Sequence, residues 1–125
     1  MNTVSSNNAP KADHILSQAI VSNGLIFVSG QIHQNQDGTL MDGTVTEKLE
    51  KIFANIDAIL QSANSSLKKV VKVTIYTTDM AQMPEINESY PKYFDQLPAR
   101  EAVGVAALPL GATIEIVVIA ETQSS

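Results

Sequence analysis

Seven of the eight basic side chains in this sequence are lysines; the eighth, Arg100, is the chain's only arginine. It stands in Leu97-Pro98-Ala99-Arg100 and leads into the apolar run Ala102-Val103-Gly104-Val105-Ala106-Ala107-Leu108. Lysine suffices for solubility, so a lone guanidinium beside an apolar strand suggests work that lysine does less well. Its planar fork holds a carboxylate or phosphate through two parallel hydrogen bonds and stays charged when partly desolvated. A second misplaced charge lies in Thr113-Ile114-Glu115-Ile116-Val117-Val118-Ile119-Ala120, where period two sets Glu115 on one face with Val117 and Ile119. A carboxylate among such neighbours costs roughly a few kcal/mol unless it is paired or put to use. Arg100 shares its face with the small residues Ala102, Gly104 and Ala106, which leaves room above it. If the two strands are antiparallel neighbours, Arg100 and Glu115 lie opposite each other. Two readings stand side by side: a structural ion pair, or an anion pocket in which Arg100 holds a carboxylate and Glu115 orients a water or shuttles a proton.

Other chemistries find less support. No cysteine is present, so thiolate nucleophiles, disulfides and Cys-ligated metals are excluded. His14 and His33 share no metal-ligand spacing and read as loop or strand-end residues, so no metal site is expected. No Ser-His-Asp arrangement is visible. Ser29-Gly30-Gln31, after a strand, has the openness of a binding turn, but such a pair is more often a plain strand end. The net charge is −5 and aromatics are 5%, which argues against a nucleic-acid partner. Lys68, Lys69 and Lys72 are expected to be solvated. No apolar stretch reaches membrane-spanning length. The first eight residues lack the apolar core of a secretory signal and the arginines of a transit peptide. A cytoplasmic setting is expected, with a mitochondrial one left open, and the Asn64 and Asn87 sequons count as chance.

The elements that must position these residues form one domain over residues 1–125, with residues 1–13 an extended arm. Residues 15–21 and 25–29 flank Asn23-Gly24, the signature of a tight β-hairpin. Residues 33–45 form a loop. Leu49, Ile52, Phe53, Ile56, Ile59 and Leu60 make one stripe, predicting a helix over 46–63. Residues 70–77 alternate as a strand, with Val71, Val73 and Ile75 on one face and Val70, Lys72, Thr74 and Tyr76 on the other. Met83, Ile86, Tyr90, Tyr93 and Phe94 predict a second helix over 80–94, N-capped by Asp79, with Pro84 in its first turn and a kink or an early last turn at Pro91. Strands over 99–106 and 113–121, joined by Leu108-Pro109-Leu110-Gly111, complete the order β-β-α-β-α-β-β. This is an α+β fold, a mostly antiparallel or mixed sheet with two helices on one face. Strands 70–77, 102–106 and 114–119 are apolar at both phases, yet two helices cover only one face. The other is expected to bury against further copies of the chain.

Several segments together resemble a known family: Asn8-Ala9-Pro10, Ser29-Gly30-Gln31-Ile32, Asn55-Ile56, Val71-Lys72-Val73-Thr74-Ile75-Tyr76 with Asp79, Asn87 to Tyr90 with Tyr93-Phe94, Pro98-Ala99-Arg100, Val105-Ala106-Ala107-Leu108-Pro109 and Ile114-Glu115-Ile116. In this order, from about residue 8 to 121, the chain resembles the RidA/YjgF family of reactive imine deaminases. The resemblance implies a chorismate-mutase-like homotrimer with a barrel-like core of sheets, helices outside, and ligand clefts between subunits. It implies cofactor-independent hydrolysis of 2-imino and enamine acids, from 2-aminoacrylate and 2-aminocrotonate, to 2-keto acids and ammonia. Arg100 matches the carboxylate-binding arginine and Glu115 the glutamate that positions the attacking water. Ala102 falls where cysteine is frequent and where the backbone holds the ligand, and Ser29 and Gly30 match the pocket wall. Leu16 stands where members often have a pocket tyrosine, and Val117 where many keep glutamate. Two other functions follow from the same resemblance: a non-catalytic metabolite-binding trimer, and a ribonuclease or translation inhibitor, against which the acidic charge weighs.

Overall fold

The computed structural model describes residues 1–123. Its strands are β1 (Asn2–Val4), β2 (Ala19–Ser22), β3 (Leu25–Val28), β4 (Gln31–Ile32), β5 (Val70–Thr77), β6 (Ala99–Gly104) and β7 (Ile114–Glu121), and its helices α1 (Val45–Ser62) and α2 (Met83–Ser89). They form one mixed sheet in the order β1-β2-β3-β7-β5-β6, with β4 also on β7. Only β5 and β6 run parallel; the other pairs are antiparallel. Both helices pack on one face, giving the expected α+β class. No helix of the described residues is long and apolar enough to cross a membrane.

Local signals explain most elements. Asn23 (φ 52°) and Gly24 (φ 77°) take the left-handed values that a two-residue hairpin needs. Thr44 and Glu47 form a reciprocal capping box: the Thr44 hydroxyl accepts from the Glu47 N–H, and the Glu47 carboxylate accepts from the Thr44 N–H at 2.8 Å. Helix α1 then buries Leu49, Ile52, Phe53, Ile56, Ile59 and Leu60 against Ile26, Val73, Ile75, Ile114, Ile116 and Val118 of the sheet.

Four expectations need correction. The arm over 1–13 is pinned: β1 pairs with β2, and the buried Gln18 amide accepts from the Ser6 N–H and donates to the Pro10 carbonyl at 2.9 Å. Strand β2 starts at Ala19, because residues 12–16 make a turn that leaves Ile15 and Leu16 exposed. The second helix is broken into a 3₁₀ turn over 80–82, α2, and a 3₁₀ turn Tyr90–Tyr93, since Pro91 has no N–H to continue the ladder. Asp79 caps the first of these turns, accepting from the Ala81 N–H. A bulge near the start of β5 turns Val71 outward and leaves Val70 buried.

The largest correction concerns strand order. Strand β5, then α2, returns β6 as a parallel neighbour, as strand–helix–strand units do. The connection over residues 105–113 carries β7 to the far side of β5. Strands β6 and β7 are therefore not adjacent, and β6 is an edge strand. The helix-side face is buried except along β6, where Arg100 and Gly104 are exposed, while the opposite face carries Phe27 at 43% exposure and Val103 at 38%. In a single chain that second face is open.

Candidate functional site

Glu115 occupies the open face, beside Tyr76 on β5 and Ile32 on β4. Its seat is a bulge: four steps from Phe27 to Gln31 run opposite three from Ile119 to Ile116, so Ser29-Gly30 supplies one extra residue. Such bulges re-aim side chains next to sites. Ser29 is fixed there, its hydroxyl donating to the Ser17 carbonyl at 2.7 Å and its N–H to the Gln18 carbonyl at 2.9 Å. Gly30 is required by space rather than by φ. A Cβ at that position would run into the Glu115 carboxylate, lying 2.9 Å from its Cδ. Burial raises the Glu115 pKa from its ordinary value. No donor or cation among the described residues pairs with that carboxylate. Leu16, with Pro10, Ala12, Ser29, Gly30 and Ile32, lines a small cleft of about 110 Å³ alongside.

Arg100 lies elsewhere. It pairs with Val73 on β5, whereas Glu115 pairs with Tyr76, three residues further along and on the other face. Two strand spacings across and three residues along set the Cα atoms on the order of 14 Å apart. The internal Arg100–Glu115 ion pair does not form. Instead the guanidinium faces α2, its Nη1 donating to Asn87 Oδ1 at 2.8 Å, and lies 4.9 Å from the Tyr90 ring centroid. Tyr90 is buried between Phe53 and Phe94. Around this pair Pro91, Leu97 and Pro98 complete an open hollow of about 310 Å³. Ala102 follows Arg100 on the same face, half-buried against β5, on a strand whose outer edge has no neighbour.

The structure thus gathers Leu16, Ser29, Gly30 and Glu115 into one half-site, and Arg100 and Ala102 into another. In the sequence Tyr90 is a helix-stripe position and Asn87 a chance sequon, and the segment Asn87 to Tyr90 carries part of the family resemblance, with no site role given to either residue. Their spacing of three, which puts both on one helical face, is the signal that links them. His33 is structural: its Nδ1 donates to the Met41 carbonyl at 2.7 Å and its Nε2 accepts from the Thr113 N–H at 3.0 Å. Buried between them, it has a lowered pKa and is held neutral, tying the 33–41 loop to the start of β7. Lys68 and Lys72 are paired, with Asp95 and Glu101 respectively.

Fold and site together define a chorismate-mutase-like α+β protein in which, among the described residues, an arginine on one edge and a desolvated carboxylate on the opposite face both lack a charge partner. Residues 6–122 match the family described as Endoribonuclease L-PSP. The chain is 45% identical over 114 residues to Protein HMF1 of Saccharomyces cerevisiae, covering 90% of this chain and 88% of that protein. It is 40% identical over 119 residues to the 2-iminobutanoate/2-iminopropanoate deaminase of Rattus norvegicus, covering 94% and 87%. The crystal structure of E. coli TdcF with bound serine superposes with a TM-score of 0.90 at 29% identity, covering 98% of this chain and 100% of that one. The chain belongs to this family, the RidA/YjgF family.

Proposed function

We propose that this protein hydrolyses reactive 2-imino acids and their enamine tautomers, those derived from 2-aminoacrylate and 2-aminocrotonate, to 2-keto acids and ammonia. The observation that carries the reading is the pair of charges left uncompensated among the described residues: a guanidinium with no acidic partner there and a raised-pKa carboxylate with no cation. Neither arrangement suits stability, and both suit a small anionic ligand with a polarised C=N bond. The two half-sites lie apart within one chain, so the active cleft forms between copies of a homotrimer. Arg100 of one copy then approaches the open face around Glu115 of the next. The uncovered β6 edge and the exposed apolar face support that assembly. The rat relative's name and the serine in the TdcF structure support an amino-acid-like ligand.

In the mechanism, Arg100 clamps the carboxylate through its fork and the Ala102 backbone lines the same wall. Ser29 and Gly30 form the opposite wall and Leu16 its apolar rim. Glu115 takes a proton from a water as its oxygen bonds to the imine carbon. The nitrogen takes the C=N electron pair and receives that proton, giving the carbinolamine; Glu115 then accepts the carbinolamine hydroxyl proton and delivers it to nitrogen as the C–N bond breaks, its electrons leaving with ammonia while the C=O forms. A carboxyl with an elevated pKa exchanges protons near neutrality more readily than an ordinary one. We place the activity in the cytoplasm, with the mitochondrion as the alternative.

The test is imine hydrolysis on wild type and Arg100→Ala together, with thermal unfolding as the fold control. Turnover should vanish in the variant at unchanged stability, since Arg100 is exposed on an edge strand; a fully active Arg100→Ala protein refutes the assignment. Arg100→Lys should also be poor, because one ammonium does not copy the fork. A second reading, a metabolite-binding trimer without turnover, is favoured by Leu16, which gives the cleft no hydroxyl. An assay generating 2-aminoacrylate from serine separates the two. The family's endoribonuclease description gains no support from a net charge of −5; salt-sensitive RNA binding would revive it.

A further inference from the structure

Among the described residues the seat of Arg100 contains no negative charge, although the chain has 13 acidic residues against 8 basic ones. Its hydrogen-bond acceptor is the amide of Asn87, and the surface beneath it is the ring of Tyr90. Glu101, the next residue, turns to the other face, where its carboxylate meets Lys72 Nζ at 3.0 Å and accepts from the Thr74 hydroxyl at 3.2 Å. An arginine kept for stability is ordinarily matched by a carboxylate. Here an amide oxygen fixes direction without cancelling charge. It occupies one of the five guanidinium N–H groups, so an edge of the fork stays available to an incoming anion. The aromatic face adds a further orienting contact, and burial of Tyr90 between Phe53 and Phe94 makes that face rigid. The Tyr90 hydroxyl is itself buried without a partner among the described residues, so the residue's visible contribution to the site is its ring.

We propose that Asn87 and Tyr90 are positioning residues that aim Arg100 and leave it unneutralised, so that an amide rather than a carboxylate at position 87 sets the affinity for carboxylate-bearing ligands. This rests on the anion-site reading of Arg100 given above. A carboxylate at position 87 would form an internal ion pair and compete with the ligand for the same fork. A methyl group there would remove the aim but not the charge. The two substitutions therefore separate positioning from neutralisation.

The experiment measures binding of 2-oxobutanoate to the whole protein and steady-state hydrolysis of enzymatically generated 2-iminobutanoate. Wild type is compared with Asn87→Asp, Asn87→Ala, Tyr90→Leu, Tyr90→Phe and Arg100→Ala, each checked by circular dichroism. Asn87→Asp should raise KM and weaken keto-acid binding by about tenfold or more, with kcat within about twofold of wild type. Asn87→Ala should show a smaller loss. Tyr90→Phe should restore what Tyr90→Leu loses, because the ring and not the hydroxyl carries the contact. Equal losses in Asn87→Asp and Asn87→Ala would overturn the charge argument. If Arg100→Ala loses binding while Asn87→Asp keeps the wild-type KM, the positioning role falls and the anion site stands. If Arg100→Ala binds like wild type, the anion site itself falls.

Discussion

Replacing Gly30 by alanine should move stability and activity in opposite directions. The glycine has ordinary backbone geometry, since the left-handed glycines are Gly24, Gly38, Gly43 and Gly111. Alanine therefore adds no φ strain, and restricting the unfolded chain stabilises by about 0.4–1 kcal/mol. The new Cβ, however, would overlap the Glu115 carboxylate, with its Cδ at 2.9 Å and its Cγ at 3.3 Å. Ordinary contact begins near 3.4 Å, and the nearer carboxylate oxygen has further to go than the Cδ. The displacement needed is on the order of 1 Å, and a misplacement of that size costs about 10²-fold in rate. The obstructing atoms are the free end of a flexible side chain, so relief is cheap for the fold and costly for the chemistry. Imine hydrolysis and thermal unfolding on the same preparations give both readouts. Wild-type kcat in Gly30→Ala, or a fall in Tm alongside lost activity, would refute the argument that this glycine exists to seat Glu115.

Three further outcomes follow from the same geometry. Glu115→Gln should lose about 10²-fold or more in kcat while unfolding at the same or a higher temperature at pH 7. A carboxyl whose pKa is raised on folding stabilises fully only below its unfolded pKa and loses that contribution as pH rises; a lower Tm for the amide would contradict this. His33 behaves oppositely: its folded pKa is lowered, so the unfolded chain binds the extra proton and stability falls as pH drops below about 6.5, by at most about 1.4 kcal/mol per pH unit. Thermal scans from pH 7.5 to 5 should show that slope, and a His33→Gln variant should lack it. Phe27→Asp, a charge on the open face, should shift sedimentation from trimer toward monomer; an unchanged oligomer would remove that face from the interface.

What could be read in the sequence depended on how far apart the deciding residues lie along the chain. Helix α1 was legible because its stripe involves neighbours three and four apart. The hairpin was legible because Asn23-Gly24 alone sets the turn. Arg100 and Glu115 were visible as chemical anomalies within their own strands. Their mutual placement was not, because period-two reasoning gives a face within each strand and says nothing of which strand lies between. The insertion of β5 is a long-range event, and it put the two side chains on opposite faces. Strand β4, two residues long and bounded by a bulge, has no periodicity to detect. The Arg100 seat was hidden for a related reason: Asn87 is an unremarkable polar position on a helix until β6 is laid beside it.

The division of the site has a genetic consequence. In the assembly proposed above, a chain lacking Arg100 still carries an intact Glu115 wall, and a chain lacking Glu115 still carries an intact arginine. Neither variant should work alone. Unfolded together in equal amounts and refolded, they should regain roughly one quarter of wild-type activity, because each cleft draws one wall from each of two randomly chosen chains. Two defective copies of this protein are thus not equivalent to none.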